Sequence, residues 1–269
     1  MRLPPKTSQR KKPKMNNPIY FSSLCLIIRD ENKYLKEWLI HHLPLTDHIF
    51  LYDNGARENV SAITKSLPEP AQSKITVIPF KNGYEHIQEE AYNHFLDNYG
   101  RKTIWCAFID SDEFITLDCK KTIREILSEK SQYSEVRMFW VEYGADGRVN
   151  YDSRPVQERF QTPAEGADMR IRMYKSFIKT EKTKRMVSHF PVFDLKDRLC
   201  YIDDKMEFFH IKHYYTKSYE EWKKKMARGS ANPRCLKKFD EFFTYNPDMA
   251  YLKNQRTDLP DQSYNAGRL

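Results

Sequence analysis

An uninterrupted apolar run that ends in a knot of carboxylates constrains this chain more than any other stretch. Ile104-Trp105-Cys106-Ala107-Phe108-Ile109 is long enough for a strand buried on both faces, and Asp110-Ser111-Asp112-Glu113 follows without a spacer. Three carboxylates within four positions repel one another, so this strand edge calls for a cation or a cationic partner between them. Asp110 and Asp112 are the natural pair for Mg²⁺ or Mn²⁺. The alternative, and the commoner fate of a bare Asp-x-Asp, is a solvated turn.

The flanking sequence makes that strand one of several in an α/β sheet. Ser23 to Ile28 predicts a first strand, Arg29-Asp30-Glu31-Asn32 a polar turn, and Leu35, Trp38, Leu39 and Leu43 recur at helical spacing after it. His48 to Tyr52 predicts a second strand that stops at Asp53-Asn54-Gly55, Ile75 to Phe80 a third, and Ile87 to Tyr99 a second helix. Strands alternating with helices imply right-handed crossovers and mostly parallel pairing. Ligands gather at the C-terminal edge of such a sheet, which puts Arg29-Asp30-Glu31, Asp53-Asn54, Lys81-Asn82-Gly83 and Asp110-Ser111-Asp112 on one rim. Neither Gly-x-Gly-x-x-Gly nor Gly-Lys-Ser/Thr occurs, so a metal and basic side chains are left to hold any phosphate.

Later segments are shorter. Thr122-Ile123-Arg124-Glu125 has the form of a capping box opening a helix to about Glu129, and Val136 to Val141 predicts a strand ending at Glu142. Arg170 to Lys175 alternates basic with apolar residues, the pattern of a half-buried strand. Glu207 to Tyr215 predicts another strand, and Ser218-x-x-Glu221 a helix that runs to Arg228, with Gly229 as its cap.

A net charge of +8 and a pI near 9.0 point to anionic partners: nucleotide phosphates, lipid headgroups or nucleic acid. Five widely spaced cysteines without a Cys-x-x-Cys fit a reducing compartment, and no apolar run approaches the roughly 18 residues that cross a bilayer. The expected location is cytoplasmic, peripheral at the inner face of the membrane. Residues 1–17 carry six basic residues and no acid, as a disordered tail on an anionic membrane would; a solubilising tail is the alternative. The expected organisation is that tail, a catalytic domain over 18–232, and a partly helical, mobile segment over 233–269.

Taken in order, several motifs resemble one known group. They are Arg29-Asp30-Glu31-Asn32 with Tyr34-Leu35-Lys36-Glu37-Trp38, Tyr52-Asp53-Asn54, Trp105 with Phe108 to Phe114, Glu158-Arg159-Phe160, His189-Phe190-Pro191, and His213-Tyr214-Tyr215-Thr216-Lys217-Ser218 with Glu221-Trp222. Over roughly residues 22–230 the chain resembles the glycosyltransferase family 2 / family 92-like group. The resemblance implies a GT-A fold, a Rossmann-like, mostly parallel sheet flanked by helices with a smaller acceptor-side elaboration. It also implies a nucleotide-diphosphate sugar donor, expected to be a UDP-sugar, a divalent metal (Mn²⁺ or Mg²⁺), inverting transfer, and a saccharide or glycolipid acceptor of a cell-surface glycan. Two departures stand out. Ile28-Arg29-Asp30-Glu31 replaces the group's Ala-Arg-Asn-Glu, and Gly55-Ala56-Arg57 follows Asp53-Asn54 where polar residues and an acid are usual.

On this reading Arg29, Glu31, Asp53 and Lys217 serve the donor, with Asp53 placed to accept from a uracil N–H. Metal and basic side chains would neutralise the departing diphosphate, and a carboxylate would take the acceptor's proton. Glu142, Asp146 and Glu158 are the base candidates. Glu158 is chosen because the resemblance marks it; an ion pair with Arg159 or Arg154 is its alternative role. His189, His210 and His213 are candidates for a third metal ligand. His210 and His213 lie on opposite faces of their strand and cannot both meet one ion. His213 is chosen because it ends the strand where a loop begins and because Lys217, four residues on, is within reach of the same diphosphate. His189 is the runner-up, and a core histidine is the alternative. Two other functions compete: a basic nucleic-acid-binding protein using the tail and residues 179–185, and a metal-dependent nucleotide-sugar hydrolase. Nucleic acid is not the expected partner, because the charge is spread rather than clustered with aromatics.

Overall fold

The computed structural model describes residues 18–55, 59–80, 87–164, 173–228 and 238–255. Its first half is the alternation expected: β1 (Tyr20–Ile28), α1 (Asn32–His42), β2 (His48–Asp53), the short α2 (Val60–Lys65) and α3 (Glu69–Gln72), β3 (Ile75–Pro79), α4 (Ile87–Asn98) and β4 (Thr103–Phe108). The second half is denser in strands. It contains β5 (Glu113–Leu117), α5 (Ile123–Glu129), β6 (Glu135–Glu142), α6 (Val156–Arg159), β7 (Tyr174–Lys179), β8 (Thr183–Val187), β9 (Phe190–Phe193), β10 (Cys200–Ile202), β11 (Phe209–His213), α7 (Tyr219–Arg228) and α8 (Glu241–Tyr245).

One sheet runs β3-β2-β1-β4-β7-β6-β11-β5, with β10 beside the first half of β6 and β8–β9 a separate hairpin. β3, β2, β1 and β4 are parallel, and β7 is inserted antiparallel between β4 and β6. β11 is parallel to β6, while β5 closes the edge antiparallel to β11. The C-terminal ends of β1, β2, β4, β6 and β11 therefore meet at one rim, as does the N-terminal end of β7.

β1 and β4 are buried on both faces, which is why their sequences are unbroken apolar runs. Leu24, Leu26 and Ala107 face a core with α1 and α5, whereas Cys25, Cys106 and Phe108 face Tyr92 and Phe95 of α4. The capping box of α5 forms as the sequence predicts. The strand expected at Arg170 to Lys175 begins instead at Tyr174, because Phe177 and Ile178 are the side chains that fill the two cores. Arg170 to Arg172, Lys81 to Gly83, Gly229 and the 1–17 tail lie outside the described residues. Phe239, Phe242, Phe243, Met249 and Leu252 pack with Trp222 and Tyr219 of α7, so this part of the C-terminal segment belongs to the folded body. Among the described residues no helix is long and apolar enough to cross a membrane.

Helix α1 grips the acidic turn. The Trp38 indole N–H donates to the backbone oxygens of Asp110 (3.1 Å) and Glu113 (2.9 Å). His42 Nδ1–H donates to Trp38 O at 2.9 Å and its Nε2 accepts from Ile115 N–H at 3.1 Å, a pattern that requires the neutral ring. Burial, reinforced by His41, holds the His42 pKa well below the usual histidine range.

On the outer side of α1, the Glu37 carboxylate accepts from Val156 N–H at 2.8 Å and ties α6 to the helix. Burial pushes its pKa from 4.5 up to about 7, against the lowering effect of that N–H and of Arg159. The folded chain thus holds a proton that the unfolded chain has lost between about pH 4.5 and 7, so this group's contribution to stability falls as pH rises through that window. Urea unfolding at pH 5 and pH 7 should show a smaller drop in midpoint for Glu37→Gln than for the wild-type chain. Equal drops would contradict the assignment.

Candidate active site

The turn between β4 and β5 delivers two carboxylates to two different lysines. Asp110 Oδ2 accepts from Lys175 of β7 at 2.8 Å, and its Oδ1 accepts from Gln88 (2.7 Å) and Tyr92 (3.3 Å) of α4. Asp112 Oδ2 accepts from Lys225 of α7 at 2.8 Å, with Lys217 Nζ 3.8 Å away, while its Oδ1 lies 3.8 Å from His213 Nε2. Lys225 also donates to Tyr215 O at 2.8 Å. Burial alone would raise both carboxyl pKa values. Lys175 keeps Asp110 below the usual range, and Lys225, Lys217 and His213 keep Asp112 well below it. Glu113, fully buried, accepts from Asp110 N–H at 2.8 Å and sits 3.4 Å from Lys175. Burial nevertheless pushes it up to about 8.

Beside this pair, His213 Nδ1 bonds Glu142 Oε1 at 2.9 Å, and the ring lies 4.3 Å from that of Trp140. Burial works to lower the His213 pKa, but Glu142 and Asp112 raise it above the usual histidine value. His189, at the turn of the β8–β9 hairpin, is driven down to about 4 by Lys175 and by burial. Four buried polar atoms in this neighbourhood have no hydrogen-bond partner among the described residues: Glu113 Oε1, Trp140 Nε1, Glu142 Oε2 and His189 Nδ1.

A further layer fixes these groups. Glu221 accepts from Arg159 (2.8 and 3.2 Å), from Ser218 at the start of α7 and from the Tyr34 hydroxyl. Lys217 is buried over the Tyr34 ring, 4.5 Å from its centre, and holds a left-handed backbone with φ of 54°. Glu31 accepts from Ser111 and from Arg228, and Lys217 and Arg228 overcome its burial to lower its pKa to about 2.

The structure thus brings together Asp110, Asp112, His213, Lys217 and Glu31. Asp53 ends β2, paired in register with Ile28, and Arg29 follows β1 on the same rim, 3.9 Å from Asp30. Glu158 does not join them: its side chain is exposed on α6, and the one-turn helix sends its neighbour Arg159 inward instead. Arg154 pairs with Asp152 and Arg159 with Glu221, so neither forms the alternative ion pair with Glu158. Asp146 holds a turn by accepting from Gln161 N–H at 2.6 Å. His210 faces away and pairs with Asp118 at 2.6 Å. Lys175 and Lys225 escape a reading by motif. A signal for the latter is the spacing Glu221, Lys225, Arg228, which aligns one face of α7.

Comparison with known proteins supplies relatives for this chain. A glycosyltransferase family 92 protein of Oryza sativa subsp. japonica is 22% identical over 212 residues, covering 76% of this chain and 35% of the relative. An Arabidopsis thaliana member of the same family is 20% identical over 234 residues, or 82% of this chain and 40% of the relative. A galactan beta-1,4-galactosyltransferase of Arabidopsis thaliana is 28% identical over 110 residues, 38% of this chain and 21% of that protein. The chain therefore spans well under half the length of these relatives. The family model for glycosyltransferase family 92 matches residues 22–250, from Ser22 near the start of β1 to the aromatic cluster beyond α7, and so spans every strand of the rim. Because that match covers most of its length, the chain belongs to glycosyltransferase family 92.

Proposed function

We propose that this chain transfers a sugar from a nucleotide-diphosphate donor to a saccharide acceptor, with inversion. The observation that carries the reading is the Asp112 carboxylate at the sheet's C-terminal rim, flanked by Lys225, Lys217 and His213. A diphosphate leaving group needs its developing charge met by fixed cations, and Lys225 and Lys217 supply them in a site shielded from water. The galactan relative makes UDP-galactose the first donor to test.

The residues also suit a divalent cation. Asp112 Oδ1 and His213 Nε2, 3.8 Å apart, lie within the span of two metal–ligand bonds of about 2.1 Å each. Among the described residues no three His, Cys, Asp or Glu side chains form a metal site by themselves, so the donor's phosphates would complete the coordination. Asp110 is occupied on both oxygens by Lys175, Gln88 and Tyr92, and its part is to position the turn. When bound, Mn²⁺ or Mg²⁺ would act as a Lewis acid on the diphosphate. The close Lys175–Asp110 and Lys225–Asp112 contacts favour a second reading, in which lysines alone neutralise that charge.

The acceptor hydroxyl must lose its proton to a base with a free lone pair. Glu142 meets this better than Glu158, because its Oε2 has no partner among the described residues and lies beside His213, while Glu158 faces solvent. The basic residues of the 1–17 segment would add a salt-sensitive hold on an anionic membrane surface, about 1 kcal/mol for each residue near it.

Asp112→Asn should cut nucleotide release by a factor on the order of 100 or more and, because it leaves the buried Lys225 without its carboxylate, should also lower the unfolding midpoint. His213→Ala should raise the Mn²⁺ needed for half-maximal rate. Full activity of both variants in EDTA would assign the charge to the lysines. Glu142→Gln should lower kcat about 100-fold with little change in donor KM, and Glu158→Gln should leave both constants near wild type. The opposite ranking would return the base to Glu158.

A further inference from the structure

The rim has two sides, and only one is accounted for by the donor. Asp53 and Arg29 lie on the β2–β1 side of the Asp110–Asp112 turn, whereas β7 and β6 continue the sheet on the other. On that second side rings line both faces of the β6–β7 pair: Trp140 lies on the face of His213, Tyr174 lies with Phe139 on the opposite one, and the adjacent His189 and Phe190 reach one each. Trp140 lies 4.3 Å from His213, and His189 lies 6.1 Å from Trp140. Phe190, next in sequence to His189, meets the ring of Tyr174 at 5.5 Å, edge to face. The Arg137 guanidinium backs the Tyr174 ring at 4.2 Å and holds it in place. Phe190 is 42% exposed, so the outer end of this series is open to solvent. The inner end carries lone polar atoms instead, Trp140 Nε1 and His189 Nδ1.

We propose that Trp140, His189, Tyr174 and Phe190 form a track for an extended saccharide acceptor, with Tyr174 and Phe190 binding sugars several units behind the reacting end. This rests on the glycosyl-transfer reading above. A pyranose presents an apolar C–H face and an edge of hydroxyls. Exposed rings suit the first, and buried donors and acceptors left without partners suit the second. The order along the track fits a chain that enters over the hairpin and ends beside Glu142: polar atoms lie where one hydroxyl must be aligned, and bare rings lie where chain length is sensed. The left-handed Ser188, with φ of 54°, makes the tight turn that sets His189 at the inner end and Phe190 at the outer.

The test uses the full chain with UDP-galactose and β-1,4-linked galactose oligomers of one to six units, after retention on a saccharide array confirms or replaces that acceptor. Wild-type kcat/KM should rise with acceptor length. Phe190→Ala and Tyr174→Ala should flatten that rise, lowering kcat/KM for the longest acceptor by about tenfold, while acceptor-free donor hydrolysis stays unchanged. Phe190→Trp should restore the length dependence, which a merely structural role for the ring would not predict. An unchanged length dependence in both alanine variants overturns the track and leaves glycosyl transfer standing. Loss of anionic-vesicle binding in Phe190→Ala, with transfer to long acceptors intact, would assign the patch to a lipid surface and also overturn it. Failure of the wild-type chain to turn over any nucleotide-sugar would remove the reading on which the track rests.

Discussion

Two aspartates two residues apart, each facing its own buried lysine, are the constraint around which this molecule is built. Lys175 and Lys225 are almost fully buried, as is Asp112. A buried charge is tolerated only with a partner, and removing one member of such a pair costs on the order of 3–5 kcal/mol. Lys175 comes from β7 and Lys225 from α7, so neutralising one four-residue turn requires a strand inserted into the sheet and a helix from much later in the chain. The same pairing that holds these elements also fixes the rim where they meet.

Helix α7 then does most of the remaining work. Its Glu221 gathers Arg159 and Tyr34, its Lys225 reaches Asp112, and its Arg228 reaches Glu31, all from one side of three turns. Its opposite flank carries Trp222 into the aromatic cluster with Phe239 and Phe242. Position of the rim's cations is thereby tied to the packing of the C-terminal segment. A change in that packing would be felt at Asp112 without touching it.

The parallel half of the sheet was legible because strands buried on both faces leave continuous apolar runs, and because helices α5 and α7 begin with Ser or Thr three residues before Glu. The rim follows from topology, and with it the grouping of Glu31, Asp53, Asp110 and Asp112, whereas Lys217 and His213 enter through the resemblance and through the strand that His213 ends. What escaped notice has physical causes. β5 opens on Glu113, a carboxylate that is fully buried against the usual rule, so it reads as part of the acidic turn. The β8–β9 hairpin exposes Lys184 and Arg185, which disguises a strand as a basic loop. The motif singles out Glu158, but in a helix of only four residues the choice between inward and outward depends on how the chain enters it, and Arg159 takes the inward place. Pairing of Asp112 with Lys225 spans 113 positions and no local pattern could announce it.

The central claim is that this rim binds a nucleoside diphosphate through Asp112 and the cations around it. Titration calorimetry of the full chain with UDP, with and without Mn²⁺, tests it most directly, and Lys225→Met serves as the paired variant. The account predicts saturable binding by the wild-type chain that Mn²⁺ tightens and that Lys225→Met weakens by at least tenfold. Absence of UDP binding in both conditions, or binding that Lys225→Met leaves unaltered, would contradict it.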